Sequence, residues 1–516
     1  MNNTEKTIRN SIISVIAQII IFLLSFVNRR VFVCFLDIEY LGYQSLFGNI
    51  FTILSVAELG IGQVITYQLY KEIVTNNKQE IGKLMYLYKW LYRLVALIVT
   101  VIGLLCFLFL PFFVKGVSAD WSYIRLIYLL QLSSVVAGYF LSYKSTILIA
   151  SQQEYRCTSI TLWVSIIMQV LQLALLAIFK NYIIYLCVNL LSAFIGNLII
   201  AIIVDKEYPY IKDKYKITRE DIKNRNILND TKNFLIHKIA YAIYNGTDNI
   251  VISAFCGIRN VALYGSYVTV KSGVMNIFFY KLLNPIQATL GNIVNDNRKK
   301  DDLWEQFKMF DVFSFFFASY IGLGFFIFLQ PFIALWLGTD YLLSIPFVAL
   351  YSITIYIGSV FEIVYKYRSV FGEFKKDRNL MVLSAILNIL ISVVCAKKMG
   401  IVGVQLGTII ALLPMEYGRI RFVVRDFFGK SIHKYLLKHL ILFLIVCIEG
   451  ALCYLITAGF EYDILHFIIR GFIWLFVPGC TAVLIFFRNK AFKEMLKYLK
   501  SIVNILFSKV RRRKHA

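Results

Sequence analysis

Apolar runs long enough to cross a bilayer follow one another from residue 11 to residue 487, with short polar connections between them. A hydrocarbon core takes roughly 20 helical residues per crossing. On that measure the pattern predicts about fourteen spans. Their cores lie at 11–35, 43–69, 87–114, 121–149, 158–179, 182–204, 232–256, 261–293, 311–338, 341–371, 379–396, 400–425, 436–458 and 463–487. The predicted fold class is therefore an all-α polytopic membrane protein. Met1–Asn10 is polar, and the first run ends in Arg29 and Arg30 rather than in a small-residue cleavage site, so no cleavable signal peptide is expected.

The chain also repeats itself. Phe35, Ile38 and Gly42 meet Phe255, Ile258 and Ala262 at a shift of 220 residues. Pro111-Phe112 meets Pro331-Phe332 at the same shift, while Tyr143-Lys144 meets Tyr365-Lys366, and Arg156 meets Arg378, at 222. Matches in order at nearly one offset indicate duplication of a six-span unit. Six is even, so both copies run the same way through the membrane, and a pseudo-two-fold axis along its normal is expected to relate them. The predicted organisation is a six-helix lobe over 1–204, a basic linker over 205–231, a second six-helix lobe over 232–430, two additional helices over 431–487 and a basic tail over 488–516.

Charge sets the orientation. The formal net charge is +24, which taken alone would suit nucleic acid. The cations instead gather in alternate connections: Lys71, Lys78 and Lys83; Arg298, Lys299 and Lys300; Lys375, Lys376 and Arg378; Arg425, Lys430 and Lys434. The longest polar segment, 205–231, and the tail ending in Arg511, Arg512, Arg513 and Lys514 fall on the same side. The positive-inside rule then places both termini in the cytoplasm and no nucleic acid among the partners. Lys397 and Lys398 are the main exception. The nine cysteines lie mostly singly in apolar runs without metal-binding spacing, so they read as small packing residues.

Polar residues within the spans carry the candidate chemistry, because charge is costly there and faces a protein interior or a wet cavity. Gln18, Ser25 and Arg29 share one face of span one. Thr354, Gly358, Glu362, Lys366 and Ser369 form a stripe on span ten, and Gln405, Thr408, Glu416 and Arg419 one on span twelve. Arg29, Lys271 and Asp248 have no evident partner on their own helices. Such stripes suit a cavity for an anionic, hydroxylated substrate, since arginine grips phosphate bidentately and Tyr or Asn bonds hydroxyls. The plainer alternative is internal pairing, Glu362 with Lys366 at i,i+4 and Glu416 with Arg419 at i,i+3. Lys144 and Lys366 lie toward span ends, where snorkelling is the alternative, and Arg93, Arg125 and Arg470 read as snorkelling too. Glu58 has two roles open to it, carrying a coupling proton or pairing with Arg29 or Arg30. Glu449 has no evident role.

No nucleophile elbow, zinc-protease helix or phosphate-binding loop motif occurs, and the outward connections are too short to house glycan polymerisation. The runs LGYQSLFGNIFTILSVAELGIGQVITYQLYKEI, GTDNIVISAFCGIRNVALYGSY, PFIALWLG and FGEFKKDRNLMVLSAILNILISVVCAKKMGIVGVQLGTIIA resemble bacterial polysaccharide repeat-unit flippases, the Wzx-type branch of the MOP/MATE exporter superfamily. The similarity spans about residues 10–430. It implies two six-span lobes, two extra helices and alternating access in the bacterial cytoplasmic membrane. The implied substrate is a polyprenyl-diphosphate-linked oligosaccharide destined for capsule, O-antigen or exopolysaccharide. Anionic membrane lipids, a polysaccharide polymerase and a chain-length regulator are the further partners it implies. No cofactor is implied beyond coupling to H+ or Na+. On this reading Arg29, Arg30, Lys144, Lys271, Lys281 and Lys366 receive diphosphate or acidic sugars. Glu58, Asp248 and Glu362 serve ion coupling. A drug or cation exporter of the same superfamily is the first alternative, and it would favour an acidic cavity. A membrane-embedded polymerase is the second.

Overall fold

The computed structural model describes residues 3–117, 119–215, 239, 242–243, 246–279, 290, 300–371, 374–497 and 500. Among the described residues the fold is entirely helical, and eleven helices are long and apolar enough to cross a membrane. The protein is a multi-pass membrane protein. Helix is the only open-ended solution in hydrocarbon, because it satisfies each backbone N–H and C=O within the segment.

The first nine helices are α1 (Asn3–Phe35), α2 (Ile38–Leu54), α3 (Val56–Val74), α4 (Lys78–Leu108), α5 (Leu110–Phe113), α6 (Trp121–Ser142), α7 (Ser145–Ala150), α8 (Glu154–Phe179) and α9 (Tyr182–Glu207). They are followed by α10 (Ile258–Val274), α11 (Lys300–Trp336), α12 (Ile345–Val360), α13 (Glu362–Val370), α14 (Phe374–Met399) and α15 (Ile401–Ile420). α15 runs on into a π-helical turn, Arg421–Phe427. The last two are α16 (Ile432–Thr457) and α17 (Ile464–Phe486). Three of the fourteen expected spans are not among the eleven. The second is divided at Ser55 between α2 and α3, and the seventh and eighth extend into residues outside the description.

The 220-residue repeat is written into the helix boundaries. α2 and α10 start at Ile38 and Ile258. α8 runs from Glu154 to Phe179 and α14 from Phe374 to Met399, 220 apart at both ends. α7 and α13 end at Ala150 and Val370, and α9 and the π turn end at Glu207 and Phe427. Spans four and ten are both interrupted, the first around Tyr143-Lys144 and the second earlier, at Phe361. The matched prolines differ in effect: a break at Phe109 precedes Pro111, whereas α11 continues through Pro331.

The described residues fall into two compact units, Met1–Thr269 with Ser392–Val404, and Val270–Ile391 with Gln405–Ala516. In the first, an aromatic core joins α1, α2, α6 and α9. Phe32 meets Tyr182 and Tyr185 edge-on, Phe47 meets Tyr128 at 5.1 Å, and the Tyr128 hydroxyl donates to the Gly103 carbonyl at 2.8 Å. In the second, α11 is the central post, in contact with α12, α16 and α17.

The α8–α9 and α14–α15 corners share a geometry. Lys180 and Gly400, 220 apart, both have positive φ, 48° and 58°. Glycine takes that conformation freely, whereas a side chain costs roughly 1 kcal/mol. Gly400→Ala is expected to lower stability by about 1 kcal/mol, and Lys180→Gly to leave it unchanged or raise it by a similar amount. Thermal unfolding of the purified variants in detergent measures both.

Candidate functional site

Arg29 sits two turns before the end of α1, and its guanidinium lies on the backbone of α10. Its Nε donates to Ser266 Oγ at 3.1 Å and its Nη2 to the Ala262 carbonyl at 2.8 Å. Gly265 makes the approach possible, since a Cβ there would stand 2.9 Å from Ser45 Oγ and 3.2 Å from Arg29 Nη2. Gly42 serves the same α2–α10 contact, where a Cβ would stand 2.4 Å from the Ile258 carbonyl oxygen. Arg29 is half-buried, while Arg30 is exposed. Asp248 is buried and accepts from the Tyr264 hydroxyl at 3.2 Å, which joins the helical residues 246–256 to α10.

Lys144 occupies the break between α6 and α7 and reaches Asp205 of α9 at 2.6 Å. Lys271 is half-buried, with its ammonium 5.6 Å from the centre of the Tyr351 ring. Lys281 lies outside the described residues. Glu58 is on α3, its side chain likewise outside them.

Lys366 is 2% exposed and lies 3.4 Å from Glu362. Both belong to a part of the second unit dense in buried charge. Arg419 donates through Nε to Asp377 at 2.6 Å and through Nη1 to Glu416 at 3.0 Å. Arg368 meets the other Asp377 oxygen at 2.9 Å. The Tyr365 ring lies 4.8 Å from the Arg368 guanidinium and 5.0 Å from that of Arg419. Among the described residues, Lys366, Arg368 and Arg419 are thus linked with Glu362, Asp377 and Glu416 across α13, the start of α14 and the end of α15. The two pairings anticipated from spacing are present, but Asp377 and Arg368 join them from positions that the charge pattern assigns to a cytoplasmic connection and to no stripe.

A second cluster was not legible as a stripe at all. Asp311, 1% exposed on α11, accepts from the Tyr435 hydroxyl at 2.6 Å and from Lys438 at 2.6 Å, and lies 3.1 Å from His439 Nε2. It ties α16 to the central post. Arg470 was expected to snorkel. Instead it is buried and donates to the carbonyls of Thr457, Phe460 and Glu461, closing the C-terminal end of α16. Glu449 now has a partner, the Thr481 hydroxyl of α17. At the start of α17 the backbone N–H of His466 donates to Asp463 at 2.7 Å.

Breaking a buried pair by removing one partner leaves the other charge without compensation. Arg419→Met is therefore expected to cost roughly 3–5 kcal/mol. Lys308→Met, which breaks an exposed pair with Glu305 (2.7 Å), is expected to cost about 1 kcal/mol or less. Unfolding midpoints of the two variants, measured side by side, test this contrast.

The architecture has solved counterparts. A lipid II flippase, MurJ, in an inward closed conformation superposes with a TM-score of 0.62 at 15% identity, over 90% of this chain and 99% of that one. An inward-facing multidrug resistance MATE family transporter of the MOP superfamily gives 0.61 at 14% identity, over 79% and 98%. A MOP superfamily transporter from Pyrococcus furiosus gives 0.51 at 14% identity, over 84% and 98%. At this identity the likeness shows a shared fold. Sequence comparison with curated proteins finds no match. The family model for polysaccharide biosynthesis proteins matches residues 7–283, more than half of the chain. That span takes in the whole first repeat, Arg29, Asp248 and α10, and the chain belongs to the polysaccharide biosynthesis protein family.

Proposed function

We propose that this protein is a flippase for a polyprenyl-diphosphate-linked oligosaccharide, moving repeat units across the bacterial cytoplasmic membrane for surface polysaccharide assembly by alternating access, with both termini in the cytoplasm. Membership of the polysaccharide biosynthesis family is the observation that carries this reading. The fold shared with a lipid II flippase supports it.

The physical task is to carry a diphosphate and its sugars past hydrocarbon while the polyprenyl tail stays in lipid. Shedding hydration from such a headgroup is costly unless each lost hydrogen bond is replaced. Arg29 and Lys271 are the cations we assign to the anionic part. Arg29 offers a planar fork suited to phosphate oxygens, and Lys271 a compact charge beside an aromatic face. Arg30 and Lys281 complete the set by position. Lys144 and Lys366 already hold carboxylates, so they take part only by exchanging Asp205 or Glu362 for phosphate. Such an exchange would free a carboxylate, which gives Glu362 a place in ion coupling beside Glu58 and Asp248, with H+ or Na+ as the coupled ion.

Arg29→Ala and Lys271→Ala are each expected to lower export of surface polysaccharide by about tenfold or more, the loss of one charge-assisted contact. Membrane abundance should stay unchanged and lipid-linked repeat units should accumulate. Arg29→Lys should recover part of the activity. Normal export by both alanine variants, at normal abundance, removes these residues from the cargo path.

A further inference from the structure

The first unit contains a cavity of about 430 Å³ that none of the candidate cations line. Its wall is one face of α2 (Gln44, Gly48, Thr52) with Ser55 at the break that follows it, one turn of α6 (Gln131, Ser134) and Asn189 of α9, with Phe51, Leu130, Val135 and Leu186 between the polar groups. Six of these side chains are polar and none is charged. In a bundle of apolar helices a polar surface is costly to keep, and here Gly48 and Thr52 lie exposed on the wall while the other polar residues are half-buried.

Gly48 shows that the space itself is kept open. It lies inside α2, where glycine costs about 0.5–1 kcal/mol relative to alanine. Gly42 and Gly265, in the same unit, permit close contact between helices. A Cβ on Gly48 would meet nothing within 4 Å. Gly48 is exposed on the cavity wall, and with no side chain there the cavity is left unobstructed.

The chemistry of the wall selects its occupant. Thr52 Oγ1 donates to the Gly48 carbonyl at 2.8 Å and Ser55 Oγ to the Phe51 carbonyl at 2.7 Å, so the hydroxyls spend their protons on their own helix and present lone pairs. Gln44, Gln131 and Asn189 carry both donors and acceptors. A wall that gives and accepts hydrogen bonds without charge suits a polyhydroxylated neutral ring, and its apolar strips suit the C–H faces of that ring. A phosphate would find no counter-charge in it. The volume falls in the range of roughly 300–1,000 Å³ typical of small-molecule sites. The cavity also adjoins the proposed anion contact: Ser45, next to Gln44, lies against Gly265 beside Arg29 Nη2, and Tyr185, next to Leu186, donates to Asn28 at 3.3 Å.

We propose that this cavity is a binding site for an uncharged sugar ring, an inference that rests on the reading of the cargo as a lipid-linked glycan. The site divides the headgroup: neutral sugar on the amides and hydroxyls of α2, α6 and α9, and diphosphate on the neighbouring Arg29.

Gly48→Leu is the sharpest test, because the new side chain enters empty space and strengthens the helix. The full-length protein in nanodiscs is examined by saturation-transfer NMR with N,N′-diacetylchitobiose, a free neutral disaccharide that carries neither phosphate nor lipid. The wild type is expected to transfer saturation to the sugar protons. Gly48→Leu and Asn189→Leu, checked for unaltered melting, are expected to lose that signal by about tenfold. No signal from the wild type, or equal signal from Gly48→Leu, overturns the site. Flipping in liposomes separates this from the reading it rests on. Sugar binding without flipping sinks the flippase and leaves the site standing, while undiminished flipping by Gly48→Leu sinks the site and leaves the flippase.

Discussion

A charge carried into hydrocarbon must bring its counter-charge or hydrogen-bond partner with it, and most of the interior of this protein follows from that constraint. Asp377, Arg368, Arg419, Glu416, Glu362 and Lys366 answer it with three charges of each sign, drawn from α13, the start of α14 and the end of α15. Asp311 answers it with Tyr435, Lys438 and His439 and so fixes α16 to α11. Arg470 answers it with three backbone carbonyls that the end of α16 would otherwise leave open. Arg29 donates to a carbonyl and a hydroxyl of α10, which ties α1 to that helix.

Duplication supplies the framework on which these solutions differ. α8 and α14 correspond end to end, as do the corners at Lys180 and Gly400. Both interrupted spans also place a lysine near the break, Lys144 in one copy and Lys366 in the other. Their surroundings have diverged. Lys144 takes a single carboxylate from α9, whereas Lys366 is set among a dense array of buried ions.

The all-helical class and the repeat were legible in the sequence because both depend on periodicity and order, which need no knowledge of contacts. Pairs within one helix, Glu362 with Lys366 and Glu416 with Arg419, were legible for the same reason. Long-range partners were not. Nothing local connects Asp377 to Arg419 or Asp311 to Lys438, because those pairings exist only once α14 meets α15 and α16 meets α11. Arg470 was misread because an arginine at a span end looks the same whether it reaches for water or for a neighbouring helix terminus. The cavity beside Gly48 was missed since its polar residues are neutral and spread over three helices, and an open space leaves no mark on a chain.

The central claim is movement of a lipid-linked glycan between leaflets. The purified protein would be reconstituted into liposomes with a fluorescent polyprenyl-diphosphate oligosaccharide, and an impermeant quencher added outside, with and without proton and sodium gradients. The account predicts protein-dependent loss of protection for the inner-leaflet lipid, with the effective gradient identifying the coupled ion. Full protection under every gradient, together with uptake of a cationic dye, would contradict it and place the protein with the drug exporters that share its fold.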